Sequence, residues 1–319
     1  MRWGNILKSA FAAAAVGLLP MTLWLTTPLL SIPPLGPIVI GSLLILPYAT
    51  FRWKLDRKVV LFVSLISSVG IGLLSVTTGL WNNLTTERYA IPIAGHMLWA
   101  GQNPYAVLHI IPGTNWPPEY LWELPLTGVL AWPGNDYAWP MLVSWVLMVY
   151  VLRKRYSGLV MAQPLVALLA ANGYSDFFPL LLLSVAYAAK CGKGCWLAEA
   201  VSAATKQFAT AITIIRSLLR RDYKRAILLA GWVTAISLPF LLWNPTMFLC
   251  NAVVFQTAPG CPVPPGAIRG GGVWPGITNV NYSLWLVWIV GMWPIEVRSL
   301  LHRIGIRKIL RRDPAHPPA

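Results

Sequence analysis

Apolar runs close to twenty residues long recur along this chain, separated by short polar or basic stretches. That pattern predicts a bundle of helices crossing a membrane several times. The first run covers residues 6–30, with Arg2 and Lys8 at its start and the turn Pro33-Pro34 after it. It is longer than the apolar core of a secretory leader and carries no clear cleavage site, so it reads as the first span. A second run, 35–51, leads to Arg52, Lys54, Arg57 and Lys58, and a third, 59–80, leads away from them. Residues 138–152 approach Arg153-Lys154-Arg155, 158–171 recede, and 177–189 approach Lys190 and Lys193. The run 226–243 recedes from Arg216, Arg220, Arg221, Lys224 and Arg225, and 277–293 ends at Arg298, Arg303, Arg307, Lys308, Arg311 and Arg312. By the positive-inside rule these clusters and both termini are cytoplasmic.

Two segments do not fit a plain alternation. Residues 119–133 are apolar but short, with Glu119 and Glu123 one helical turn apart and Pro125 beyond them. If they cross, Arg153-Lys154-Arg155 lands outside; a re-entrant or interfacial segment keeps that cluster inside, and the charge rule favours the second form. Residues 196–219 carry Lys206 near their middle between two basic clusters. A single crossing puts one cluster outside. Two half-helices broken near Lys206, each about 15 Å long, keep both inside and set Lys206 at a cavity, where irregular backbone at membrane depth is tolerated.

The predicted fold is therefore all-α: one integral membrane domain over residues 1–319, about eight to ten membrane segments by the roughly twenty-residue rule, with an outer layer of loops and interfacial helices. Residues 81–136 form the first external loop, 244–276 the second, and 295–319 a basic cytoplasmic tail. Within the first loop, 86–100 mix Glu87, Arg88 and His96 with Ile, Met, Leu and Trp, as a helix lying in the interface does. The turn Gly101-Gln102-Asn103-Pro104-Tyr105 follows. The second loop is rich in Pro and Gly and contains Gln256 and Arg269.

Composition agrees with this pattern. The chain is 56% hydrophobic and only 11% charged, against roughly a quarter charged in soluble domains. Many of its 17 tryptophans sit at the ends of apolar runs, where interfacial aromatic belts form. The net charge of +15 resides in the short clusters and the tail, which points to anionic lipids as partners and away from nucleic acid. Cys191 and Cys195 have a spacing compatible with a metal but no accompanying His or second pair, and Cys250 and Cys261 flank the second loop, where a disulfide is possible. No cofactor is implied with certainty; a divalent metal is possible but has no ligand set to support it.

No G-x-S-x-G, H-E-x-x-H, Walker or dinucleotide-binding motif is present. The remaining polar residues form an outer-facing set: Glu87, Arg88, His96, Glu119, Glu123, Asp176, Lys206, Gln256 and Arg269. An acid such as Asp176 or a lysine such as Lys206 at the end or middle of an apolar run is costly there and marks a functional candidate. Carboxylates serve as general bases, and cations or amides hold a phosphate leaving group.

Four stretches then carry a resemblance. T-T-E-R-Y followed by W-A-G-Q-N-P-Y, the acid in Y-S-D-F-F-P, A-T-K-Q-F-A, and P-F-L-L-W-N-P-T-M-F before a Pro- and Gly-rich loop occur in this order between Thr85 and Gly276. Together they resemble the polyprenyl-phosphate-sugar-dependent membrane glycosyltransferases of the C superfamily, especially prokaryotic and archaeal mannosyl- and arabinosyltransferases. The resemblance implies transfer of a sugar, with inversion, from a polyprenyl-phosphate donor to a lipid, glycan or protein acceptor at the outer face. Glu87 would be the general base, Lys206 and Arg88 would hold the donor phosphate, and Asp176, Gln256, His96, Tyr105 and Glu119 would contact sugar or acceptor. Where family members often have Asp beside the catalytic Glu, this chain has Thr86. Two other readings stay open: a lipid-sugar flippase or small-solute transporter, which also places charges at membrane depth, and a catalytically degenerate scaffold of the same fold.

Overall fold

The computed structural model describes residues 3–26, 35–79, 87–106, 136–188 and 193–250, together with Trp285, Leu286, Trp288, Ile289 and Met292. The described chain is all-α. Its helices are α1 (Trp3–Thr26), α2 (Leu35–Arg52), α3 (Arg57–Thr78), α4 (Glu87–Trp99), α5 (Ala138–Leu152), α6 (Tyr156–Met161), α7 (Pro164–Ala171), α8 (Phe177–Ala188), α9 (Lys193–Thr205), α10 (Gln207–Leu219), α11 (Tyr223–Trp243) and the short α12 (Pro245–Phe248). A 3-10 turn, Pro104–Ala106, follows α4.

Among the described residues three stretches, Trp3–Leu23, Arg57–Thr78 and Tyr223–Trp243, are long and apolar enough to cross a membrane. Helix α3 has 22 residues and so a length of about 33 Å at 1.5 Å per residue, slightly more than a hydrocarbon core. Its exposed face includes Phe62, Ile66, Leu73 and Leu74, and that of α11 includes Ile227, Leu228 and Leu242. Large apolar side chains in this density make a surface that hydrocarbon solvates better than water.

Helix α3 shows how the interior is assembled. Asp56 caps its start, its carboxylate accepting from the amides of Lys58 and Val59, and Gly79 ends it in the left-handed region with its N–H on the Ser75 carbonyl. The buried face carries Val60, Ser64, Ser68, Gly72 and Ser75, small residues that let neighbouring backbones come close. A Cβ on Gly72 would lie 2.8 Å from Leu142 Cδ1. The Ser68 hydroxyl donates to the Ala162 carbonyl at 2.6 Å. That carbonyl sits where the apolar run 156–171 breaks into α6 and α7.

The break is a departure from the single span expected over 158–171. Pro164 disfavours helical backbone in the residue before it, and Gln163 is extended (φ −80°, ψ 150°). Its buried amide donates to the Leu43 carbonyl at 2.6 Å, while Trp145 donates to the Met161 carbonyl at 2.6 Å. Groups released by the break thus find partners on α2, α3 and α5. Because Arg57 meets the Arg153 carbonyl, Ser68 meets Ala162 and Gly72 meets the Ala167 carbonyl, α6 and α7 run parallel to α3.

One end of the bundle gathers Lys54, Arg57, Arg153 and Arg155. There Ser9 accepts the Asp56 amide at 2.8 Å, and the Arg57 guanidinium lies 5.1 Å from the Tyr156 ring centroid. This is the basic end. The opposite end carries the start of α4, the 3-10 turn and the start of α8.

The apolar run 196–219 takes the broken form. Helices α9 and α10 are separated at Lys206, whose backbone is extended (φ −149°, ψ 142°), and they pack as an antiparallel hairpin. Glu199 in α9 and Arg216 in α10 are 4.0 Å apart, both beside Tyr187 near the end of α8. Ser202, closer to the tip, donates to the carbonyl of Pro179 near the start of α8 at 2.8 Å. The hairpin therefore enters from the basic end, reverses at Lys206 and returns to the basic end.

Candidate functional site

The hairpin tip meets the N-terminus of α8. The turn Asn172-Gly173-Tyr174-Ser175-Asp176 precedes that helix, and Asp176, fully buried, starts it with its carbonyl accepting the Leu180 amide. Asp176 Oδ1 lies 2.9 Å from Lys206 Nζ and accepts from Trp285 Nε1 at 2.6 Å. Lys206 Nζ also donates to Ser175 Oγ at 2.9 Å, and Lys206 is 5% exposed. The second carboxylate oxygen, Asp176 Oδ2, is buried and has no hydrogen-bond partner among the described residues. A carboxylate keeps several acceptor sites, so this oxygen is an unfilled place for a hydroxyl or amide donor.

Electrostatics make this tip suited to an anion. Lys206 immediately precedes α10, where the helix dipole is positive, and a cation there is intrinsically disfavoured. The carboxylate of Asp176 compensates in the present state. An incoming phosphate would meet an ammonium and a helix N-terminus together, the combination that binds phosphates in many folds.

Arg88 adjoins the same turn from the other side. It is the second residue of α4 and 7% exposed, and it grips Asp136 through two parallel bonds, Nε to Oδ1 at 3.0 Å and Nη2 to Oδ2 at 2.7 Å. Asp136 Oδ1 also accepts the Ala138 amide at 2.9 Å, which fixes the carboxylate at the start of α5. Gly173 is what allows the approach. A Cβ on Gly173 would fall 2.9 Å from Arg88 Cβ and 3.0 Å from its Cα, and its φ is +79°. Gly173→Ala should therefore lose about 1–3 kcal/mol of stability from backbone strain alone, with the clash in addition. A fall in the thermal midpoint of purified protein checks it, and an unchanged midpoint would contradict the close packing of α4 on the turn.

Of the residues singled out in the sequence, Arg88, Asp176 and Lys206 are thus assembled around 172–176. Glu87 is the first residue of α4, next to Arg88 in the chain. His96 lies two turns further along α4 on an exposed position. Tyr105 is fully buried, with its ring edge-on to Phe240 at 5.2 Å and to Phe248 at 5.0 Å. In this conformation it anchors the 3-10 turn to α11 and α12, and a ligand would reach it only after repacking. Glu119, Glu123, Gln256 and Arg269, with the whole of 119–133, lie outside the described residues. Cys195 and Cys250 are each disulfide-bonded, with Cys191 and Cys261 outside the described residues.

Several participants were not singled out in the sequence: Asp136, Ser175, Trp285 and, at the other end of the hairpin, Glu199. Asp136 and Arg88 are 48 residues apart, and no local pattern joins them. Glu199 did carry a signal, being a lone acid inside an apolar run. It is fully buried and accepts from Tyr187 Oη at 2.8 Å and from Arg225 Nη2, with Arg216 Nη1 4.0 Å away. The Arg216 guanidinium lies 3.7 Å from the Tyr187 ring centroid.

Among the described residues no group of three or more His, Cys, Asp or Glu is placed to hold a metal ion. Asp136 and Asp176 each face a cation instead, a donor set that suits an anionic ligand better than a divalent cation. The chain matches no family model, no curated protein and no solved structure.

Proposed function

We propose that this protein is a polytopic membrane glycosyltransferase that moves a sugar from a polyprenyl phosphate to a lipid, glycan or protein acceptor at the outer membrane face. The observation that carries the reading is the buried Asp176–Lys206 pair at the tip of a re-entrant hairpin, with Asp176 Oδ2 unpartnered. A cation at a helix N-terminus suits a lipid phosphate, and a spare buried acceptor suits a sugar hydroxyl. The order of the four sequence stretches supports it independently. In this orientation the basic end is cytoplasmic, anionic lipids surround it and the C-terminal tail, and the hairpin tip faces the outer leaflet.

In the reaction, the donor enters laterally from the bilayer with its phosphate against Lys206 and Arg88. Lys206 exchanges Asp176 for the phosphate, and Asp176 turns to a sugar hydroxyl. Glu87 takes the proton of the acceptor hydroxyl, whose oxygen attacks the anomeric carbon. The bond from that carbon to the phosphate oxygen breaks, its electron pair leaves with the lipid phosphate, and configuration inverts. Fixed cations contribute most at that step, since charge builds on the departing oxygen. Gln256, His96 and Glu119 are assigned to sugar or acceptor.

The direct test is transfer by purified protein in liposomes supplied with a panel of polyprenyl-phosphate sugars and a cell-lipid acceptor fraction. Release of lipid phosphate coupled to a labelled glycan product is the expected result. A second reading, a lipid-sugar flippase, draws on the breaks in two apolar runs, at Gln163-Pro164 and at Lys206. The two breaks differ in kind, since α6 and α7 continue in one direction while α9 and α10 reverse, so they do not form the matched pair that transporter repeats show. Movement of intact lipid-sugar across the bilayer with no release of lipid phosphate would overturn the transferase reading in favour of the flippase.

A further inference from the structure

The hairpin that carries Lys206 at its tip carries a second buried charge near its base. Glu199 lies seven residues before Lys206, about 10 Å along the helix axis, and its carboxylate gathers side chains from three other helices: Tyr187 of α8, Arg216 of α10 and Arg225 of α11. The adjoining Ala200 carbonyl accepts from Trp232 Nε1 of α11 at 3.0 Å. Four helices therefore converge on one fully buried acid.

Stability does not account for this arrangement. Apolar side chains of similar size in place of a buried ion pair are often neutral or stabilising, whereas buried polar groups are best attested as devices that fix one register. Apolar contact already joins α9 to α11, since Ala200, Ala203 and Ala204 pack with Leu229 and Val233 of α11. Small-residue surfaces of that kind allow sliding, and a shift by one residue moves a helix about 1.5 Å along its axis and turns it by about 100°. Such a shift would take Lys206 Nζ away from the 2.9 Å contacts with Asp176 and Ser175.

We propose that Glu199 is a positioning residue that fixes the register of the α9–α10 hairpin against α8 and α11 and thereby sets the place of Lys206. For the phosphate-binding consequence this rests on the function proposed above; for the placement of the tip it does not. Glu199→Gln keeps a partner for Tyr187 and removes the charge that holds both arginines. In nanodiscs without ligand, amide exchange at residues 203–208 should quicken about ten-fold or more in this variant while residues 64–76 of α3 keep wild-type rates. Unchanged exchange at the tip, or equal acceleration in α3, overturns the proposal, the latter because it marks a merely structural role. Should Glu199→Gln fail to fold, Arg225→Gln tests the same clamp with the same expectation. Binding of a short-chain polyprenyl monophosphate is the second readout. Weaker binding by Glu199→Gln under conditions where α3 keeps wild-type exchange supports action through Lys206, and wild-type-like binding despite a loosened tip limits Glu199 to the hairpin and overturns its link to the phosphate. Absence of binding by the wild type counts against the transferase reading alone, since the exchange result stands without ligand.

Discussion

Lys206→Met should cut transfer steeply and destabilise the protein at once. The activity loss is expected at about 10²–10³-fold, the effect of removing one donor from a site that stabilises a departing oxyanion. The stability loss has a separate origin. Lys206 and Asp176 are 5% and 0% exposed, and truncating one partner of a buried pair leaves the other charge uncompensated, at about 3–5 kcal/mol. Trp285 would still donate to Asp176, so the carboxylate retains a polar neighbour but no countercharge. The double variant Asp176→Leu/Lys206→Met separates the two effects. With no buried charge left it should recover most of the thermal midpoint while transfer stays lost. Recovery of transfer with stability would show that Lys206 serves only to neutralise Asp176, and the phosphate site would have to be sought elsewhere. Full stability of the single variant would contradict the burial of the pair.

Charge bookkeeping left residues 196–219 two forms, a single crossing or a reversal near Lys206, and α9 and α10 take the second. Basic clusters before and after residues 196–219 share one end only if the chain reverses between them, and Lys206 was the natural point of reversal. The break at Gln163-Pro164 had a signal as plain, a proline inside an apolar run, yet the run 158–171 reads as one span because hydropathy averages over the break. Pairings across the fold had none. Arg88 finds Asp136, Glu199 finds Arg225 and Asp176 finds Trp285 across 48, 26 and 109 residues, and the local sequence around each acid is compatible with a simple cap or a solvated side chain. Tyr105 shows the opposite difficulty. The resemblance implies a sugar or acceptor contact for Tyr105, while its ring packs edge-on against Phe240 and Phe248, a contact that no local pattern announces.

Glu87→Gln should leave donor binding near wild type and reduce turnover by about 10²–10⁴-fold, the range associated with a positioned general base. Glutamine preserves size and one acceptor oxygen but cannot take up the proton, so a loss of turnover with donor binding kept measures the proton-accepting function. The start of α4 suits the role. Arg88, the next residue, is clamped to Asp136 and packed against Gly173, which fixes the first turn of the helix beside the turn that bears Asp176. Chain chemistry sharpens the test at the neighbouring position. Thr86 stands where an aspartate is expected from the resemblance, and if one carboxylate suffices, Thr86→Ala should retain most activity while Glu87→Gln does not. Weaker donor binding by Glu87→Gln with turnover at saturating donor unchanged would remove Glu87 from the base role and make it a ligand-holding residue, because an interaction lost equally from ground and transition states contributes to binding alone.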